Sequence, residues 1–339
     1  MSDDSISRND RRALGAALLA GITSGMLYLS ILLSFAFLIP VRSIFERGDR
    51  RMGYWASGAA FFAVSTVQVF RISEIGALGL MNVVIGLAPP AILIAAIIVI
   101  DAPFWGALGT TWRLLATTTA CTLIAIPGFT YVFADGSFAS FLEERIQATI
   151  EPVLTQANSV VEGFDTSLLR TTLSAKLIAE ESIAIFSSSF AAMLFCLLGA
   201  SYWVGGLFTR NKSGLSREAN SQTHRFIGYH VPNALLWPVL ASWSGVLGVT
   251  VFDVPSPFPA IAWNIALMLS LPYAGQGLGI ASHFLNRTKV PRSLRIAIMA
   301  FAFAVLVSPA TGLAAAAILP ILGLTEVWIP YRNSKGVGA

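Results

Sequence analysis

One apolar stretch, NIALMLSLPYAGQGLGIASHFLNR (264–287), carries groups that lipid cannot satisfy: Asn264, Pro272, Tyr273, Gln276 and His283. At about 100° per residue, Asn264, Pro272, Gln276 and His283 fall within an arc of about 120°, with Gly275 and Gly279 between them and Tyr273 just off the stripe. Such a stripe has two uses. Amides and glycines let helices approach and hydrogen-bond one another, each bond being worth roughly 1 kcal/mol. Alternatively, Asn264, Tyr273 and Gln276, joined by Asn82 from the stretch GLMNVVIGLAPP, wall a cavity and hydrogen-bond a small uncharged or zwitterionic solute. Pro272 cannot donate to the Met268 carbonyl, which leaves that oxygen for a neighbour, a water or a ligand.

Signatures of soluble catalysis are absent: there is no phosphate-binding glycine loop with its lysine, no HExxH, no CxxC pair and no GxSxG. His224, His230 and His283 are scattered, without Cys or carboxylate at metal-ligand spacing. We therefore expect no enzyme, no catalytic residue, no metal and no cofactor. Outside 134–181 the acidic residues, among them Glu46, Asp101, Asp253 and Glu326, lie at span ends or in loops. Proton pumps need a carboxylate relay deep in the membrane, so proton-coupled transport is disfavoured.

The elements that must position the stripe follow from composition. Of 339 residues 55% are hydrophobic and only 12% charged, and the mean hydropathy is +0.71. These values lie outside the range of soluble domains. Apolar tracts of about 20 residues, enough to cross a roughly 30 Å hydrocarbon core, recur along the chain. They fall at 13–41, 53–70, 75–100, 112–133, 183–208, 234–251, 261–284 and 293–330. The expected fold is an all-α, polytopic transmembrane helix bundle of about eight to ten segments. Tracts 13–41 and 293–330 are each long enough for one tilted helix or a pair of short ones.

The net charge of +4 sits in short Lys/Arg clusters beside these tracts, which fits topology and not nucleic acid. Connectors 42–52, 209–233 and 285–295 are basic, whereas 252–260 has neither Lys nor Arg. The positive-inside rule places the basic connectors in the cytoplasm and favours pairs of segments in 13–41 and 293–330 of a multi-pass protein. Trp237 and Trp328 are among the tryptophans near span ends, as interfacial anchors are.

Region 134–182 breaks the apolar pattern. It is rich in Asp and Glu, and Phe138, Leu142, Ile146 and Ile150 recur at helical spacing, which predicts an amphipathic extramembrane insert. Glu151-Pro152 is a place where a helix could restart. The insert divides the chain into N-terminal membrane helices (1–133), the insert (134–182), C-terminal membrane helices (183–332) and a short cytoplasmic tail (333–339).

RFIGYHVPNALLW (225–237), the stretch 264–287 and ILGLTEVWIPYR (321–332) together resemble the YybS-like family of predicted bacterial membrane proteins of unknown function. That family is similar in turn to the substrate-binding membrane subunits of energy-coupling-factor vitamin transporters. The resemblance implies capture of a small nutrient from outside, with separate ATPase and coupling subunits as partners. By that analogy the small residues Ala13, Ala17 and Gly21 form the partner-docking face. Two functions stay open at this point: a component that binds or transports a small molecule, and a non-transporting scaffold that recruits cell-envelope or division proteins.

Overall fold

The structure, a computed structural model, describes residues 3–30, 33–46, 50–74, 80–102, 105, 108–134, 136–160, 174–209, 228–287 and 309–332. Among these residues every regular element is helical: α1 (Asp3–Leu29), α2 (Leu38–Phe45), α3 (Arg50–Glu74), α4 (Leu80–Ile100), α5 (Thr110–Ala134), α6 (Ser137–Val160), α7 (Ala175–Thr209), α8 (Leu236–Val251), α9 (Phe258–Arg287) and α10 (Pro309–Thr325). Helices are the form expected where apolar surroundings leave the backbone to satisfy its own polar groups. Stretches 10–29, 110–133, 175–205, 233–251 and 258–285 are long and apolar enough to cross a membrane, and shorter apolar helices lie within 34–45, 86–100 and 314–325. The protein is a helix bundle of the multi-pass membrane class. Prolines lie inside α4, α5, α6, α9 and α10 without ending them, so α6 runs through Pro152 where a restart was expected.

The first apolar tract is a pair. α1 stops at Leu29, the chain turns through Ser34–Ala36, and α2 folds back along it. The Ser24 hydroxyl donates to the Phe37 carbonyl, and the Tyr28 ring meets Phe37 edge-on with centroids 4.9 Å apart. The other face of α1 packs on α3, where a methyl group at Gly21 would strike the Ala56 carbonyl and Ala59, and one at Gly25 would strike Ala63. Ala17 is fully buried and Ala13 half-buried. The small-residue face expected to receive a partner thus belongs to the α1–α3 seam of this same chain.

α6 is amphipathic as its spacing predicts: Phe138, Leu142, Ile146 and Ile150 are half-buried while Phe141, Glu144, Arg145 and Gln147 are exposed. A sharp turn at Gly136, whose φ of +66° suits glycine, connects it to α5. The junction is sealed by rings: Phe129 meets Phe190 and Phe186 edge-on at 4.6 and 5.4 Å, and Phe133 packs on Phe138. α7 begins at Ala175, so the last residues assigned to the insert belong to a membrane-spanning helix.

One end of the bundle gathers the described parts of the basic connectors. There the ends of α2, α4 and α7 meet the starts of α3, α5 and α8. Arg42 bonds Asp101 and Glu46, its guanidinium lies 4.4 Å from the Tyr202 ring centroid, and Gly205 leaves room for its side chain. Arg42 was expected in a loop; it is instead a buried residue of α2, 4% exposed. Its i,i+4 spacing to Glu46 was the available sequence signal.

Candidate functional site

The polar stripe of α9 faces protein along its length. Asn264 Oδ1 accepts the Ala191 N–H at 2.8 Å, and its Nδ2 donates to the Ser187 and Ala260 carbonyls. Its amide therefore joins α9 to α7. One and a half turns on, Ser270 Oγ accepts the Trp243 Nε1–H of α8 at 2.9 Å and donates to Ala266 O at 2.7 Å. Gln276 is 3% exposed; its Oε1 accepts the Val231 N–H at 2.6 Å and its Nε2 donates to Gly323 O at 3.1 Å. It thereby ties the segment before α8 to the end of α10.

Tyr273 is 1% exposed, and its hydroxyl is buried with no hydrogen-bond partner among the described residues. Beside it the backbones of α9 and α10 touch: methyl groups at Gly277 and Gly323 would strike the Leu319 and Tyr273 carbonyls. Among the described residues Asn264, Tyr273 and Gln276 thus meet other helices and not one shared cavity. Asn82 lies in α4, but its side chain is outside the described residues. His283 Nε2 is buried with no hydrogen-bond partner among the described residues.

The threonines of α5 also tie helices together. Thr110 and Thr111 reach the hydroxyls of Tyr202 at 3.4 Å and Tyr229 at 2.9 Å. Thr119 reaches Met268 Sδ at 3.9 Å, and the buried hydroxyls of Thr117 and Thr118 have no hydrogen-bond partner among the described residues.

An open cleft of about 230 Å³ lies where the stripe meets the basic end, lined by His230, Val231, Asn233, Gln276, Glu326, Val327, Pro330 and Arg332. Among the described side chains of the expected site, Gln276 borders it and Asn264 and Tyr273 do not. The volume falls short of the roughly 300 Å³ at which drug-sized pockets begin. Stretches 225–237, 264–287 and 321–332, on which the family resemblance rests, supply these lining residues.

At the cleft wall Arg332 grips Glu326 through Nε at 2.6 Å and through Nη2, and both side chains are 5% exposed. The same Nη2 donates to Tyr229 O at 2.9 Å and sits 3.1 Å from His230 Nδ1. Sequence reasoning placed Glu326 at a span end or in a loop and Arg332 at the last position of the C-terminal membrane helices, and missed their pairing; their nearness within ILGLTEVWIPYR was the only signal. Burial, and then the Arg332 guanidinium, push the His230 pKa below its ordinary value, with Glu326 pulling the other way. Burial pushes the Tyr229 phenol up to about 12, against the pull of its bond to Thr111.

Among the described residues no group of His, Cys, Asp and Glu is arranged to hold a metal ion. Comparisons of the chain with protein-family models, with curated proteins and with solved structures each return no match. The site is read from its own chemistry.

Proposed function

We propose that the protein is a non-transporting scaffold of a bacterial cytoplasmic membrane, kin to the YybS-like family, with its basic end in the cytoplasm. One observation carries the reading: the amides of Asn264 and Gln276 are committed to backbone groups of α7, α10 and the segment before α8. A solute site needs such groups to face open space. The occupied small-residue face of α1 also weighs against docking of a coupling subunit there.

In this reading α6, with its exposed Phe141, Glu144 and Gln147, is the recruiting surface for envelope proteins on the side opposite the basic end. The test is purification of the full chain after crosslinking in membranes, with mass spectrometry of both proteins and small molecules. Partner proteins crosslinked through α6, with no retained solute, support a scaffold. A stoichiometric nutrient-like solute released by Gln276→Leu overturns it. Orientation is tested separately, with single cysteines at the exposed Arg51 and Asp253; opposite-side labelling, with Arg51 reached from the cytoplasm, is expected.

A further inference from the structure

The cleft has chemistry that helix packing does not use. Its wall holds a guanidinium and a carboxylate, Arg332 and Glu326, each more than nine-tenths buried, and the buried Gln276 borders it. Each Glu326 oxygen takes a bond from Arg332, and a carboxylate has about four lone-pair sites, so acceptor capacity is left over. Arg332 Nη2, 3.1 Å from His230 Nδ1, presents only hydrogens, so it disfavours a proton on Nδ1 and favours the tautomer in which Nε2 carries the proton and is a donor. The His230 side chain is 61% exposed, and the exposed Asn233 contributes an amide. Donors for an anionic group thus stand beside an acceptor for a cationic one, and the fixed charges of the pair cancel.

The rim indicates where the occupant comes from. Trp328, 62% exposed, and Ile329, 53% exposed, lie between the lining residues Val327 and Pro330; Trp237, 74% exposed, follows the lining residue Asn233 by one helical turn. Exposed tryptophans concentrate at headgroup level, where one edge of the ring is apolar and the other wet. Two such anchors beside an open polar cleft point to the height of lipid headgroups, with the exposed Ile329 alongside for acyl chains.

We infer that this cleft holds the zwitterionic headgroup of a membrane phospholipid, its phosphate on His230 Nε2 and the Asn233 amide and its ammonium on the Glu326 carboxylate. The inference stands apart from the scaffold reading, since a carrier could hold the same lipid. The shared chemistry, phosphate with ammonium, also occurs in free phosphoethanolamine, and the rim decides for the lipid.

The test is native mass spectrometry of the full chain in detergent, titrated with short-chain phosphatidylethanolamine, short-chain phosphatidylglycerol and free phosphoethanolamine. Asn233→Asp changes an exposed residue without changing its size and puts a negative charge where the phosphate is placed; His230→Ala removes the other donor. Saturable binding of phosphatidylethanolamine, preferred over phosphatidylglycerol and weakened roughly tenfold by Asn233→Asp, is expected. Circular dichroism and the melting temperature of that variant should match the parent. Binding unchanged in Asn233→Asp and in a folded His230→Ala, equal binding of phosphatidylglycerol, tighter binding of free phosphoethanolamine, or no binding at all overturns it.

Discussion

Asn264 completes a backbone rung that is not its own: its Oδ1 accepts the Ala191 N–H of α7 at 2.8 Å while its Nδ2 donates to Ser187 O, the carbonyl four residues before Ala191. A primary amide matches that donor and acceptor as a peptide group does. When the amide is removed, the two backbone groups can still serve one another along the helix. Gln276 differs, because Val231 lies outside a helix and its N–H depends on the side chain.

The first prediction follows from that difference. Asn264→Leu should cost about 1 kcal/mol, the worth of a lost interhelical tie. Gln276→Leu should cost more, about 2–3 kcal/mol, because the buried Val231 N–H loses its partner, while the Gly323 carbonyl keeps the Glu326 N–H at 3.3 Å. Reversible unfolding in mixed micelles, followed by circular dichroism, ranks the two. Equal or inverted costs would show that the backbone groups find other partners.

The α9–α10 seam supplies a second prediction. A methyl group at Gly323 would meet the Tyr273 carbonyl, a backbone atom that cannot rotate away, whereas one at Gly245 meets nothing within 4 Å among the described residues. Gly323→Ala should destabilise by about 1–3 kcal/mol or more through overpacking. Gly245→Ala, in the middle of α8, should be neutral or stabilising by up to about 1 kcal/mol. Melting temperatures of the two variants against the parent decide it.

These contrasts show what the sequence could and could not reveal. The bundle was legible because apolar tracts of span length need no partner to be recognised, and α6 because Phe138, Leu142, Ile146 and Ile150 repeat at helical spacing. The inward turn of Asn264 and Gln276 was legible too, since lipid offers amides nothing. Hidden from view was which element each amide meets, since Gln276 reaches residues 45 positions back and 47 ahead. Small residues at 13, 17 and 21 announce close packing without naming the partner, and α3 supplied it. Arg42 and Asp101, 59 positions apart, read as two loop charges until the fold joined them.

The buried ion pair gives a third prediction. Removing one member leaves the other charged in a largely dry wall, which costs about 3–5 kcal/mol in fully buried cases. The open cleft admits water, so Glu326→Leu should fall near the low end, about 3 kcal/mol. The double variant Glu326→Leu/Arg332→Leu leaves neither charge behind. It should be less destabilised than the sum of the singles by roughly 1.5 kcal/mol or more, measured as a double-mutant cycle of unfolding free energies. Strict additivity would mean that the two side chains do not act as a pair.

His230 makes stability depend on pH, and the sign follows from its surroundings. Burial and the Arg332 guanidinium lower its pKa in the folded protein, Glu326 opposing, so the unfolded chain binds the proton more readily. Stability therefore rises with pH wherever the unfolded state carries more protons. The His230 contribution is complete above the ordinary value of 6.5 and is lost as pH falls from there toward the lowered folded value. Carboxylates elsewhere add their own slope below about pH 5, so the informative quantity is the difference between parent and His230→Gln from about pH 5 to 7.5. The parent's melting temperature should drop more steeply over that interval than the variant's. Parallel curves would mean that the imidazole titrates alike in both states, and a shallower drop in the parent would mean that Glu326 outweighs burial and Arg332 at this ring.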